Sequence, residues 1–388
     1  MTTLEARRWD NGQAVRIRML NGKIVSILAS ESSDADLPFV GPGLYDIQLN
    51  GYRGIWFSSE TLTEDHVEQV IVDFAQNGIT RCLPTLITNS FDAIAHGLHT
   101  IQNACRRSAI VRHVVAGCHI EGPYISPENG PRGAHPLQHV RAPSISELMK
   151  WQQISGGQVR LMTMAPEWHG SADFIRSAVG SGIVIAIGHT AATSEVILQS
   201  IDAGATLGTH LGNGCAAMIP RHDNTFWPQL ADDRLTCSVI ADGWHVPATM
   251  LKCVARCKPQ DRIVLTCDVS GFGGCSPGRY SSGTVDVDVL SDGRIVVAGQ
   301  TQFLAGSGAL TGECVLRFAA ASGLSLCESW ALASTTPARI VGDTASELKE
   351  GAIARLTVFR TKPDRKGGCA AFVPVESIIG TERFCHSS

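Results

Sequence analysis

The chain has 388 residues, 44% of them hydrophobic and 39 of them glycine, which fits a compact α/β protein of one large domain plus a small one and excludes disorder. Lys+Arg at 32 against Asp+Glu at 36 leaves a net charge of −4, and with no basic block or aromatic–basic stripe a nucleic-acid surface is excluded in favour of a small-molecule substrate. Residues 1–8 lack an apolar signal core and no later stretch is apolar for long enough to cross a bilayer, so a soluble, cytoplasmic protein with no membrane partner is expected.

Residues 14–29 alternate as Val15-Arg16-Ile17-Arg18-Met19, turn at Asn21-Gly22 and resume as Lys23-Ile24-Val25-Ser26-Ile27, which is a hairpin signature. From Gly41-Pro42-Gly43 onward the pattern changes. Short apolar runs alternate with helix-like stretches, which predicts a parallel sheet with crossover helices. The candidate strands are 44–49, 81–87, 114–121, 159–165, 183–188, 205–210, 235–241 and 262–269, and eight such runs fit a (β/α)8 TIM-like barrel. A doubly wound open sheet would carry a glycine-rich phosphate turn after its first strand, and Gly51-Tyr52-Arg53-Gly54 is a poor version of one. Past Gly342-Asp343, residues 354–359 and 370–375 again read as strands. The economical arrangement is an α/β barrel over residues 42–343, flanked by a small β-sandwich domain built from both termini, residues 1–41 and 344–388.

Functional side chains of a barrel gather at the carboxyl ends of its strands, and Glu121, His189, His210, Asp242 and Asp268 all fall at run ends. Any one of them alone reads as a hydrogen-bonded structural residue. Together Glu121, His189 and His210 offer one carboxylate and two imidazoles, a set that suits one divalent ion, zinc first, with Fe2+, Mn2+ or Co2+ compatible. Such a site keeps a position for water, and Asp268 is placed to act as its base and later as the acid for a leaving amine. His245, in Asp242-Gly243-Trp244-His245-Val246, is a candidate hydrogen-bond donor to a carbonyl oxygen. Thirteen cysteines are scattered without a Cys-x-x-Cys pair and read as buried thiols. Cys118 and Cys267 lie in runs beside the proposed site and are weighed as ligands, although the Glu and His set already satisfies the usual count.

The segments Pro42-Gly43-Leu44-Tyr45-Asp46, His119-Ile120-Glu121-Gly122-Pro123, Gly188-His189-Thr190, His210-Leu211-Gly212-Asn213, Asp242-Gly243-Trp244-His245-Val246, Asp268, Leu304-Ala305-Gly306-Ser307 and Thr336-Pro337-Ala338-Arg339 span nearly the whole chain. Through them the chain resembles the N-acetylglucosamine-6-phosphate deacetylase family of the amidohydrolase superfamily. The resemblance implies that Glu121, His189 and His210 hold the metal, that Asp268 is the general base and acid, and that His245 contacts the acetyl carbonyl. It also implies that His135, Asn213 and Gly214 line the sugar site, and that Arg221 reaches across a homodimer interface to the substrate phosphate. Two departures stand out. Many amidohydrolases carry His-x-His at the end of the first strand, where this chain has Gln48-Leu49-Asn50, so a single ion per chain is favoured. The substrate loop reads His210-Leu211-Gly212-Asn213-Gly214-Cys215 and then Arg221-His222-Asp223-Asn224. That wording leaves a non-phosphorylated N-acyl sugar or an N-acyl amino acid as the alternative substrate, and a silent binding barrel as the alternative from another class.

Overall fold

The computed structural model describes residues 1–32, 36–281, 286–363 and 370–386. Eight parallel strands lie side by side in chain order: β1 (Leu44–Leu49), β2 (Ile79–Ile87), β3 (Cys118–Glu121), β4 (Val159–Met164), β5 (Val184–Ile187), β6 (Leu207–Gly208), β7 (Thr236–Ile240) and β8 (Ile263–Thr266). A parallel bridge between Leu49 and Val269 and a hydrogen bond from Asn50 N to Val269 O join the last strand to the first, so the sheet closes on itself. The strands are buried on both faces, as continuous apolar runs require when helices cover the outside. The helix Glu64–Gln76 shows how sequence sets the covering layer. Thr63 caps it by accepting from His66 N, and Val67, Val70, Ile71 and Phe74 bury one face at helical spacing.

The hairpin at the amino terminus, Ala14–Leu20 with Lys23–Ala29, turns through Asn21 (φ 50°) and Gly22 (φ 73°), the two positive values that a two-residue turn between twisted strands needs. Both termini contribute to one separate sheet of seven strands, in the spatial order 382–385, 371–379, 355–362, 39–42, 2–8, 14–20, 23–29. Trp330 fastens this sheet to the barrel, stacking on Phe359 at 4.6 Å and donating its Nε1–H to Pro42 O at 2.8 Å.

Two differences from the sequence reading have physical causes. The expected strand 114–121 is only Cys118–Glu121, because Ala109–Val114 forms a short helix whose apolar residues Ile110, Val111 and Val114 face the core. Buried helix and buried strand give the same short apolar run. The second difference is an insertion with no expected counterpart. Four short antiparallel strands, Gly278–Ser281, Asp286–Val289, Ile295–Val297 and Gln300–Leu304, form a small sheet after β8, before the helix Thr311–Ser322 returns to the barrel wall.

Candidate metal centre and active site

Side chains along a strand alternate between the two faces. In the barrel, Ile47, Leu83, Leu161, Ala186, Leu207 and Val264 make one apolar layer. Two residues further along their strands come Thr85, Thr163 and Thr209, which together with His119 make a polar layer. His119 lies 3.4 Å from Thr85 Oγ1 through Nδ1 and 2.8 Å from Thr163 Oγ1 through Nε2, and Thr163 meets Thr209 at 2.7 Å. Burial lowers the His119 pKa to about 4, so it is a neutral structural ring. Glu121 stands two residues beyond it, at the mouth.

His189, His210 and Asp268 reach the mouth differently. His189 and His210 follow the inward Gly188 and Thr209 and by alternation would face outward, whereas Asp268 shares the inward parity of Val264; all three adopt a left-handed backbone, with φ of 51°, 32° and 49°. In the two histidines that conformation returns the side chain over the barrel axis, at a cost on the order of 1–3 kcal/mol per residue that persists where surrounding structure enforces it. Gly214 makes room: it has φ 54°, and a Cβ there would fall 2.8 Å from His189 Nδ1.

The three donor atoms converge. Glu121 Oε1 is 3.2 Å from His189 Nε2 and 3.1 Å from His210 Nε2, and the two nitrogens are 3.0 Å apart. Ligands bound at zinc distances in a tetrahedron lie roughly 3.3 Å from one another. His189 Nδ1 is 2.9 Å from the Pro131 carbonyl oxygen, which can only accept, so Nδ1 carries the hydrogen and the neutral ring presents a lone pair at Nε2. A lone pair facing a carboxylate oxygen at that distance is repulsive unless a cation or proton lies between them. Burial works against ionisation of Glu121, but the two histidines hold its carboxyl well below the usual range. Among the described residues this is the one group of three His, Cys, Asp or Glu side chains whose donor atoms lie within 4.8 Å of one another. The set fits a divalent ion.

The pairing of β1 with β2 slips between Asp46 and Leu49. Within the slip Gln48 donates its amide to Glu121 Oε1 at 2.7 Å, and just past it Asn50 donates to Asp268 Oδ1 at 2.7 Å. These two amides orient the carboxylates. Asp46, fully buried, accepts from Thr266 Oγ1, Cys267 N, Thr311 Oγ1 and Gln48 N, and so staples β1 to β8 below the site. Burial, and then the Glu121 charge, push the Asp268 carboxyl up to about 8. A cation held by the neighbouring ligands acts in the opposite direction.

His135 is buried, 2.8 Å from Thr88 Oγ1 through Nδ1 and 4.0 Å from Glu121 Oε2 through Nε2, and burial followed by His189 lowers its pKa to about 3. Asn213 donates to His210 O at 3.2 Å. His245 is held by Asp242, whose Oδ2 takes Nδ1 at 2.7 Å while Oδ1 takes the His245 and Trp244 backbone N–H groups at 2.8 Å. Arg294 of the inserted sheet lies 4.6 Å over the Trp244 ring and clasps this loop from outside. Arg221 is the residue that the chain does not bring in. It is exposed in the stretch 217–223, and its carbonyl, not its guanidinium, makes the hydrogen bonds there. Cys118 and Cys267 are buried thiols pushed up by desolvation and stand outside the donor cluster. Sequence reasoning treated Gln48 and Asn50 only as missing ligands. Polar residues at 46, 48 and 50 in a strand buried on both faces were the signal that they make specific hydrogen bonds.

Carboxylate, paired imidazoles and a buried aspartate at the strand ends of one closed barrel define a metal-dependent hydrolase site, and the chain belongs to the amidohydrolase family, whose model matches residues 39–381. An N-acetylglucosamine-6-phosphate deacetylase of Bos taurus is 32% identical over 328 residues, covering 81% of this chain and 77% of its own length. An N-acetylgalactosamine-6-phosphate deacetylase of Escherichia coli O157:H7 is 29% identical over 330 residues, with 84% and 85% covered. Among solved structures, an N-acetyl-D-glucosamine-6-phosphate deacetylase point mutant from Mycobacterium smegmatis, in complex with N-acetyl-D-glucosamine-6-phosphate, matches with a TM-score of 0.85 at 27% identity over 99% of this chain and 100% of that one. Within the amidohydrolases the chain therefore belongs with the N-acetylglucosamine-6-phosphate deacetylases. Among the described residues no helix is long and apolar enough to cross a membrane.

Proposed function

We propose that this protein hydrolyses N-acetylglucosamine 6-phosphate to glucosamine 6-phosphate and acetate, using one divalent ion per chain held by Glu121, His189 and His210. The observation that carries the reading is the convergence of Glu121 Oε1, His189 Nε2 and His210 Nε2 within 3.2 Å of one another beside a buried aspartate. An ion bound there lowers the pKa of a water and polarises a carbonyl oxygen, and the donor set suits zinc while tolerating Fe2+, Mn2+ or Co2+. Asp268, oriented by Asn50, takes the proton of the attacking water and delivers it to the leaving nitrogen. His245 has Nδ1 engaged by Asp242, which leaves Nε2 for the acetyl oxygen of the substrate as negative charge develops there.

His135, Asn213 and Gly214 shape the space in which the sugar sits. Arg221 is exposed and has a free planar fork suited to phosphate, and in this reading a second copy of the chain brings it to the partner's substrate. A homodimer is therefore part of the reading. The test is turnover of N-acetylglucosamine 6-phosphate, its galacto epimer and the unphosphorylated sugar by metal-loaded protein. Strong preference for the phosphorylated gluco sugar supports the reading, and preference for the unphosphorylated sugar overturns the phosphate part of it.

A further inference from the structure

A cavity of about 930 Å3 opens beside the triad. Its walls come from the loops that follow β1, β2, β3 and β8, whereas Asn213 and His245 follow β6 and β7 across the barrel. The cavity and the triad share a wall. Thr88, which lines the cavity, holds His135 Nδ1 at 2.8 Å and donates to Glu121 O at 3.3 Å, and a Cβ at Gly133 would sit 3.4 Å from His189 Cε1. The interior is mixed: Ser58, Glu60, Asn89, Gln138 and His139 bring polar groups from the loops after β1, β2 and β3, and an apolar side stands beside them. Trp56 and Phe272 meet edge to face at 5.4 Å, and Val287, Val297, Leu304 and Ala305 close the space from the inserted sheet.

An amide carbon placed between the triad and Asp268 carries the sugar nitrogen on one side and the acyl substituent on the other. Sugar hydroxyls and phosphate need polar partners and are poorly served on the apolar side formed by Trp56, Phe272 and the valines, where they would be buried without hydrogen bonds. The proposed reading places them with His135, Asn213 and Gly214, which leaves the apolar side of the cavity for the other substituent. The acyl substituent then points at the cavity. The methyl of an acetyl group needs on the order of 30 Å3, about the share of one water, whereas the cavity lies at the upper end of the roughly 300–1,000 Å3 found for small-molecule sites.

We infer that this cavity is an acyl pocket and that the enzyme hydrolyses amino-sugar phosphates bearing N-acyl chains longer than acetyl. The inference rests on the proposed deacetylase reading and names its substrate class more broadly. The reaction balances as ordinary amide hydrolysis: water oxygen bonds to the acyl carbon, the C–N bond breaks, the amine leaves with the proton and the longer carboxylic acid is released.

The test measures kcat/KM of metal-loaded wild-type protein on the N-acetyl, N-butyryl and N-hexanoyl derivatives of glucosamine 6-phosphate. Burial of each added methylene favours binding by up to about fourfold, so the hexanoyl compound is expected to equal or exceed the acetyl one. A hexanoyl value tenfold or more below acetyl overturns the inference while leaving the deacetylase reading intact; failure on the whole series overturns both. Ala305→Trp fills the cavity and is expected to lower the ratio of hexanoyl to acetyl turnover at least tenfold, with Val297→Phe as a second filler should the first not fold. An unchanged ratio in a folded filler contradicts the assignment of the cavity.

Discussion

The two flanks of the barrel mouth are built differently. Around the triad four groups are held by fixed partners: Gln48 on Glu121, Asn50 on Asp268, Pro131 on His189, Asp242 on His245. In the loop 217–223 the side chains stand in solvent, with Met218 at 90% exposure, and Arg221 has its guanidinium free among the described residues. In the proposed reading the difference means that one chain supplies the groups for the bond-breaking chemistry and holds them in place, while recognition of the distal end of the substrate is left to contacts outside that rigid shell. Changes on the first flank should therefore strike kcat or the metal, and changes on the second should strike KM.

The largest effect is expected from Asp268→Asn. The amide keeps the shape and the Asn50 contact is disturbed little, but the proton acceptor is gone, so kcat should fall by on the order of 10²–10⁴ with folding and metal content retained. Retention of more than about a tenth of wild-type turnover assigns the base to another group. Gln48→Ala comes next. It removes the donor that orients Glu121, and loss of such a supporting hydrogen bond typically costs about 10–100-fold in metal affinity or activity. Competition with a chelator reads this directly, and an affinity equal to wild type shows that Gln48 is a bystander.

Arg221→Ala sharpens the contrast from the other flank. We expect KM for the phosphorylated sugar to rise by about tenfold, the order of one charge-assisted hydrogen bond, with turnover of the unphosphorylated sugar unmoved. An equal change on both substrates, or a fall in kcat alone, removes the distinction drawn between the flanks. The smallest effect is expected for Cys118→Ala: metal content and kcat should stay as in wild type, since the thiol packs outside the donor cluster. Loss of metal in a stably folded Cys118→Ala protein would restore the thiol as a ligand.

Much of the barrel was legible because its strands are short apolar runs at regular spacing, and the positions of Glu121, His189, His210 and Asp268 at run ends pointed to the mouth. What alternation could not reveal is how His189 and His210 turn inward, since left-handed φ values leave no mark in the pattern. The inserted sheet escaped notice for a related reason. Its strands are three to five residues long, too brief for a period-two signal, although they supply one wall of the cavity and the Arg294 clasp on Trp244. Gln48 and Asn50 were visible as departures from a metal-binding pattern, and only the slip in β1 shows their positive role as donors.

The central claim is a single ion held by one carboxylate and two imidazoles. Elemental analysis of purified, active protein alongside His189→Ala and His210→Ala tests it most directly. The account predicts one divalent ion per wild-type chain and its loss, together with activity, from both folded variants. Two ions per wild-type chain, or variants that keep a full ion and their turnover, would contradict it.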